Sequence, residues 1–252
     1  LFSAYARAFE LERFIEFRTT VSRCEPVGSG WRLTLQRADG TREEREFDHL
    51  VVANGHHWEP RMPEVPGHFA GRLLHSHDYK RADAFRGERV LVIGGGNSAC
   101  DVAVETSRVS TQTDLSWRRG YRIVPKFIFG VPGDRIYNWV IQRAPFIPRR
   151  LRWWAMRVLL DLLNGPNRLY GLPEPDHGFG ETHPTVNSEL LYFIRHGKIR
   201  PRPDLERWEG KRVFFKDGTD AEYDTVIACT GFVIRHPFFD ASLIDYSKGS
   251  VP

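Results

Sequence analysis

Residues 90–101 read VLVIGGGNSACD, and this stretch decides the fold class. Its branched apolar residues predict a buried strand, which runs through three glycines into the start of a helix. Gly94, Gly96 and Ala99 match the G-x-G-x-x-A form of dinucleotide-binding turns. There the first glycine permits a tight bend, the second admits a pyrophosphate, and the small third residue lets the helix pack closely. The sequence predicts a nucleotide site here, with a ligand-free structural turn as the alternative.

The next strand predicts which dinucleotide binds. An NAD-binding unit carries a carboxylate about 20 residues past the glycines, where it binds the ribose 2′-hydroxyl. Here the strand runs instead into SWRR, residues 116–119. The guanidinium of Arg118 or Arg119 suits a 2′-phosphate, because its fork of donors matches the phosphate oxygens. This favours NADP, and the alternative is a pair of solvated arginines at a strand end.

Composition excludes several classes of function. The net charge of +4 is the small difference between 36 basic and 32 acidic residues, so we expect no nucleic-acid partner. The three cysteines, Cys24, Cys100 and Cys229, are far apart and form no C-x-x-C. They argue against a disulfide framework and a dithiol centre, and they favour a reducing, cytoplasmic location. His56 and His57 have no further ligands at suitable spacing, so we assign no metal.

A basic, tryptophan-containing helix is predicted at 148–164, with Pro148 in its first turn and Gly165 after its end. Its predicted apolar face consists of Leu151, Trp154, Val158 and Leu162. Such a helix can lie on a membrane surface. We favour packing against its own domain, because the apolar face is narrow and Asp161 interrupts it, and we do not expect membrane contact.

The remaining patterns predict two interleaved domains. Residues 89–93, 97–108 and 114–117 read as strand, helix and strand, which implies a parallel sheet. Two hairpin-like regions each lead into a buried strand, one ending at Asn54-Gly55 and the other at Thr230-Gly231. We therefore predict that residues 61–225 form one domain, inserted between the parts 1–60 and 226–252 of another.

A second motif lies just upstream of the glycine turn. FAGRLLHSHDY, residues 69–79, places Phe69, Gly71, His75 and Tyr79 in the pattern F-x-G-x-x-x-H-x-x-x-[YF]. With this motif the chain resembles a flavin-containing monooxygenase, of the class B flavoprotein monooxygenases. HPTVNSELL, residues 183–191, is also similar to bacterial members of that family. Related Baeyer–Villiger enzymes carry tryptophan in place of Tyr79, so the resemblance implies oxygenation of a heteroatom.

The resemblance implies an α/β fold with two dinucleotide-binding domains. The complete Rossmann-like NADPH domain would be inserted between fragments of the FAD domain. We expect the chain to be an internal part of such a protein, with an FAD-binding G-x-G-x-x-G and an active-site asparagine upstream of it. The isolated segment is then expected to be inactive.

The activity implied by the resemblance uses FAD and NADP as cofactors. NADPH reduces the flavin, and reaction with O2 gives a C4a-hydroperoxide that oxidises the nitrogen or sulfur of a small amine or sulfide. No catalytic side chain is assigned, and oligomeric state is not predicted. A non-catalytic NADP-binding module and a flavoprotein reductase without oxygenation are the alternatives.

The residues implied to line the NADP pyrophosphate are Gly94, Gly96, Asn97, Ser98 and Ala99. Those implied for the FAD side are Val21, Asn54, Gly55, Thr230 and Gly231, whereas Phe69, Gly71, His75 and Tyr79 are expected to be structural.

Overall fold

The computed structural model describes residues 2–142, 147–178 and 184–244. Two compact units divide them. The described residues before Pro60 and after Gly231 form the first unit, and Pro60–Gly231 forms the second unit. Residues 245–252 of the predicted return segment lie outside the described residues.

The first unit is built on a three-stranded antiparallel sheet in the order β1-β2-β3. Alternation in WRLTLQ turns Leu33 and Leu35 inward, where they form a small core with Cys24. Its elements are α1 (Phe2–Ala8), a 3₁₀ turn (Leu11–Phe14), β1 (Thr19–Val27), β2 (Gly30–Arg37) and β3 (Arg42–Phe47).

The prediction of a buried strand ending at Asn54-Gly55 is wrong. Residues 48–58 contain no strand, and Val51 is 86% exposed. A buried strand needs hydrogen-bonding partners along its edges, and within the described ranges no backbone hydrogen bond reaches residues 49–54. Asn54 and Gly55 therefore lie in an exposed irregular segment, in which Gly55 has a φ of 74°.

The second unit contains thirteen strands and four helices in its described residues. The strands are β4 (Gly67–Phe69), β5 (Arg72–His75), β6 (Arg89–Ile93), β7 (Gln112–Ser116), β8 (Ile123–Val124), β9 (Phe127–Ile128), β10 (Val131–Pro132), β11 (Thr185–Val186), β12 (Ile199–Arg202), β13 (Leu205–Gly210), β14 (Arg212–Phe215), β15 (Asp220–Glu222) and β16 (Thr225–Ala228). The helices are α2 (Asn97–Thr106), α3 (Gly133–Gln142), α4 (Arg149–Asn164) and α5 (Leu190–Arg195), with 3₁₀ turns at Ala82–Phe85 and Asn167–Tyr170.

A five-stranded parallel sheet in the order β12-β7-β6-β16-β5 forms the centre of this unit. The predicted strand–helix–strand arrangement β6-α2-β7 and its parallel pairing are confirmed. β16 pairs with both β6 and β5, so residues 225–228 lie inside this sheet. The unit therefore extends to Gly231, past the domain boundary predicted at 225.

Both faces of the parallel sheet are covered. On one face, Leu91, Ile93 and Val226 pack against a second sheet of order β15-β14-β13-β4, which contributes Trp208 and Phe215. On the other face, side chains of α2 and α5 join Val90 and Val92 in a separate core. Burial from both sides explains why RVLVI, residues 89–93, is a continuous apolar run rather than an alternating one.

The helix predicted at 148–164 is α4, which begins one residue later because Pro148 is its N-cap, but its predicted apolar face is wrong. Met156 and Leu160 are buried, whereas Leu151, Trp154 and Leu162 are 52%, 61% and 80% exposed. Apolar residues occupy both sides of this helix, and only its packing partners decide which side is buried. Among the described helices, none combines the length and the apolar character needed to cross a bilayer.

Candidate dinucleotide site

The turn between β6 and α2 lies at the carboxyl edge of the parallel sheet. The Gly94 N–H donates to the Ser116 carbonyl at 3.0 Å, which places the turn beside the end of β7. Gly94 has a φ of 127°, and a Cβ atom built there would overlap the carbonyl oxygen of Cys229. The fold itself therefore requires glycine at this position.

Tyr121 explains the middle glycine. Its ring lies against Gly95 so closely that a Cβ atom would overlap the ring carbons. The same ring packs edge-on against Trp117, with 5.3 Å between the centroids. Sequence reasoning missed Tyr121, since an aromatic residue 26 positions from a glycine turn has no pattern that joins the two.

Gly96 differs from Gly94 and Gly95. Its φ of −80° is open to any residue, and among the described residues a Cβ atom built there would meet nothing within 4 Å apart from its chain neighbours and its own helix backbone. The turn thus presents open space where the backbone leads into the free N–H groups of α2. Ala99 is fully buried and lets the helix approach the sheet. This geometry fits a dinucleotide pyrophosphate, which needs close backbone approach and donors at a helix N-terminus.

Asn97 and Ser98, at the start of α2, are exposed. The side-chain oxygen of Asn97 accepts a hydrogen bond from the Val186 N–H at 2.6 Å. This bond leaves the amide NH₂ of Asn97 as the group that can donate to a ligand, because the two ends of the amide point apart.

Arg118 and Arg119 follow β7 and are both exposed. The Arg119 guanidinium lies 5.5 Å from the centroid of the Tyr121 ring. In the described ranges, no ion pair joins either arginine to an acidic side chain. The two arginines are therefore exposed close to the glycine turn, and Arg119 also interacts electrostatically with Asp176.

Sequence reasoning overlooked Asp114, a carboxylate within β7 that stands about 20 residues past the glycines, which is the spacing of an NAD-binding acid. It is fully buried and accepts hydrogen bonds from Arg202 Nε and the Tyr223 hydroxyl, each at 2.7 Å. Asp114 therefore cannot reach a ribose at the sheet edge.

His75 ends β5 and is only 2% exposed. Its Nδ1 accepts a hydrogen bond from the His77 N–H at 3.1 Å. Burial lowers the pKa of His75, and a hydrogen bond with the Gly231 backbone opposes this shift only in part. The imidazole is therefore neutral at pH 7 and joins the end of β5 to Gly231, as a structural residue would.

The other motif residues pack against one another or against α2. A Cβ atom at Gly71 would overlap the Phe69 ring, which explains the Phe-x-Gly spacing. Tyr79 stacks on Phe85 and donates its hydroxyl to Glu105 of α2 at 2.8 Å. Burial and this carboxylate raise the pKa of Tyr79. These contacts agree with the structural roles expected for the motif.

The residues predicted for the FAD side fall in different places. Val21 lies on β1 and packs against the small core of the first unit. Asn54 and Gly55 belong to the same unit but not to that core. Thr230 and Gly231 lie in the second unit, just after β16. The Thr230 hydroxyl and the Gly231 carbonyl both bond the backbone of Arg61. Thr230 and Gly231 follow Cys229, whose carbonyl oxygen lies against Gly94 of the glycine turn.

Metal and thiol chemistry have few candidate groups in the described residues. No group of three or more His, Cys, Asp or Glu side chains within them could hold a metal ion. All three cysteines have free thiols, and burial raises the pKa of Cys229 to about 12. A thiol with so high a pKa is not a nucleophile at neutral pH.

The parallel sheet, the glycine turn and the paired arginines define a dinucleotide-binding α/β protein. Comparison with known families assigns it further, since the model of the family described as flavin-binding monooxygenase-like matches residues 1–252. The chain belongs to this family. Membership confirms the resemblance and the flavin of the cofactor prediction.

Individual relatives are similar over nearly the whole chain. Flavin-containing monooxygenase 3 of Homo sapiens is 34% identical over 257 residues, which cover 96% of this chain and 47% of the relative. A 4-hydroxybenzoate brominase (decarboxylating) of Marinomonas mediterranea is 32% identical over 250 residues, covering 93% and 48%. The chain thus spans about half the length of these curated relatives.

Solved structures of flavoproteins share the fold. The flavin-containing monooxygenase from Stenotrophomonas maltophilia superposes with a TM-score of 0.68 at 21% identity. The match covers 99% of this chain and 61% of that one. The predicted two-domain flavoprotein fold is therefore confirmed.

Proposed function

We propose that the whole protein is an NADPH- and FAD-dependent monooxygenase that transfers one oxygen atom of O2 to a nucleophilic nitrogen or sulfur of a small molecule. The observation that carries this proposal is the turn at Gly96, which is open to a ligand and is followed along the sheet edge by two exposed arginines. Similarity to flavin-containing monooxygenase 3 supports the oxygenation step.

Each part of the turn has its own task in this proposal. The N–H groups at the start of α2 bind the pyrophosphate, and Arg118 with Arg119 binds the 2′-phosphate. Residues 60–231 act as the NADPH domain, and the first unit contributes to the FAD domain. Bound FAD supplies the reaction with dioxygen. The chain's own contribution is therefore to hold the nicotinamide cofactor in one orientation.

An isotope experiment tests the proposal. With NADPH, FAD and ¹⁸O-labelled dioxygen, the full-length protein should place one labelled atom in the product of a small tertiary amine or sulfide. NADPH oxidation that gives only peroxide would identify a reductase. Binding of NADP+ without NADPH oxidation would identify a binding module. Either result would contradict the monooxygenase proposal.

One relative favours a second candidate. Because a 4-hydroxybenzoate brominase is 32% identical to the chain, oxygen transfer to bromide and bromination of a phenol are a competing activity. Bromide is also a nucleophile that can accept an oxygen atom. The same assay with bromide and 4-hydroxybenzoate separates the two, since only the second candidate gives a brominated product.

Replacement of Arg118 by alanine should weaken NADPH binding about 10- to 100-fold and leave NADH binding unchanged. The expected loss is that of a charge-assisted hydrogen bond to phosphate, about 1.5–3 kcal/mol. The dissociation constants of both nucleotides measure it. Arg86→Ala is the control, because Arg86 is also exposed and its guanidinium pairs with the nearby Asp83. An unchanged preference for NADPH in both Arg118→Ala and Arg119→Ala would refute the phosphate role.

A further inference from the structure

The segment HPTVNSELL has no role in the proposed function so far. The structure describes it from Pro184 onward, and His183 lies outside the described residues. Its residues Thr185–Val186 form β11, which pairs in parallel with β8. Asn187 follows, and its side-chain oxygen caps α5 by accepting from the N–H groups of Glu189 and Leu190. The segment is therefore held in place by its pairing with β8 and by its hydrogen bonds to the start of α5.

Three consecutive residues of this segment bond the glycine turn and its helix. The Thr185 hydroxyl donates to the Gly95 carbonyl at 2.7 Å, and the Val186 N–H donates to the Asn97 side chain at 2.6 Å. The Asn187 amide donates to Asp101 of α2 at 2.9 Å. Thr185 and Asn187 are only 2% and 4% exposed, and the Thr185 bond is itself buried, so water does not compete for that bond.

The Thr185 bond acts on the group that faces the ligand. The Gly95 carbonyl and the Gly96 N–H belong to one planar peptide unit, so a bond that fixes one also fixes the direction of the other. Gly94, Gly95 and Gly96 have no side chains with which to hold this peptide. Glycine also allows more backbone conformations than any other residue. An outside donor is therefore needed to keep the Gly96 N–H aimed in one direction.

We propose that Thr185 is a positioning residue for the dinucleotide, acting through the Gly95–Gly96 peptide. This inference rests on the proposed function, because it takes the turn to be the NADPH site. A donor that is oriented before binding does not have to be ordered during binding, so the gain appears as nucleotide affinity. Thr185 touches no ligand in this scheme.

Thr106 offers a matched control. It is fully buried on α2, and its hydroxyl donates to the Val102 carbonyl at 2.7 Å, the same length as the Thr185 bond. It stands at the far end of α2 from the glycine turn. Thr185→Val and Thr106→Val therefore remove comparable buried bonds, and only the first frees the Gly95–Gly96 peptide.

The test is titration of the full chain with NADP+, followed by calorimetry, together with melting temperatures. Thr185→Val should raise the dissociation constant about tenfold, as expected for one lost hydrogen bond. Thr106→Val should lower the melting temperature about as much as Thr185→Val does, but it should leave the dissociation constant for NADP+ unchanged. Thr185→Ser keeps the hydroxyl and should restore affinity. If Thr185→Val does not fold, Thr185→Ala removes the hydroxyl without placing a methyl group against the carbonyl.

Equal NADP+ affinity in the wild type and in the folded Thr185 variant that lacks the hydroxyl would overturn the inference. Equal losses of affinity in Thr185→Val and Thr106→Val would also overturn it, because the effect would then be general destabilisation. Failure of the wild type to bind NADP+ would refute the proposed function instead. The two failures are therefore distinguishable.

Discussion

Replacing Gly96 with alanine should leave the protein folded and remove most of its affinity for NADP+. The backbone at Gly96 has an ordinary φ of −80°, and in the described part of the chain an added Cβ atom meets nothing within 4 Å beyond its immediate neighbours along the backbone. The methyl group would instead occupy the space through which a pyrophosphate reaches the backbone. We expect a loss on the order of 100-fold, equivalent to two charge-assisted hydrogen bonds of about 1.5 kcal/mol each.

The control for this prediction lies two residues away. Gly94→Ala puts a Cβ atom onto the Cys229 carbonyl oxygen at a φ of 127°. It should cost about 1–3 kcal/mol of stability from backbone strain alone. Calorimetric titration with NADP+ and thermal melting of both variants measure the difference. Wild-type affinity in Gly96→Ala would contradict the assignment of the turn, and so would a fall in melting temperature as large as that of Gly94→Ala.

Replacing Arg202 with methionine should lower the free energy of unfolding by about 3–5 kcal/mol. Arg202 bonds Asp114, whose side chain is fully buried between the two sheets of the second unit. Tyr223 and Gln112 donate to the same carboxylate. Removal of the guanidinium leaves a buried negative charge without its cation, which is the costly way to break a buried pair.

Chemical denaturation of two further variants tests this reasoning. The double variant Arg202→Met/Asp114→Leu removes both charges and should recover much of the lost stability. Arg207→Met is the matched control, because both arginines lie over a phenylalanine ring and bond an acidic residue, but the Arg207 side chain is 40% exposed and that of Arg202 only 14%. Its loss should stay below about 1 kcal/mol. A double variant no more stable than Arg202→Met would show that the pair is not the source of the effect.

Elements with local causes could be predicted from the sequence. The strand RVLVI, the glycines and the start of α2 follow from residue types that are adjacent in the chain. The hairpin at WRLTLQ and the ends of α4 follow in the same way from alternation, proline and glycine. The motif Phe69–Tyr79 predicted the family for the same reason, since its four residues have fixed spacing.

Elements that depend on a distant partner could not be predicted. The apolar stretch before Asn54-Gly55 has the composition of a buried strand, yet it forms none without an edge to pair with. α4 has two apolar faces, and contacts with Val124 and Ile136 select the one that contains Met156. In both cases the sequence contains the apolar residues but not the surface that covers them.

The sequence by itself determined that this chain has a strand, a glycine turn and a helix suited to a dinucleotide, because that motif spans only twelve residues. Only the tertiary structure assigned a task to each glycine: Cys229 requires Gly94, Tyr121 requires Gly95, and Gly96 stays open. It likewise showed that Asp114 is held by Arg202, and that Thr185 bonds the turn from 90 residues away. Such contacts join residues far apart in the chain, so they exist only once the sheets and helices have packed.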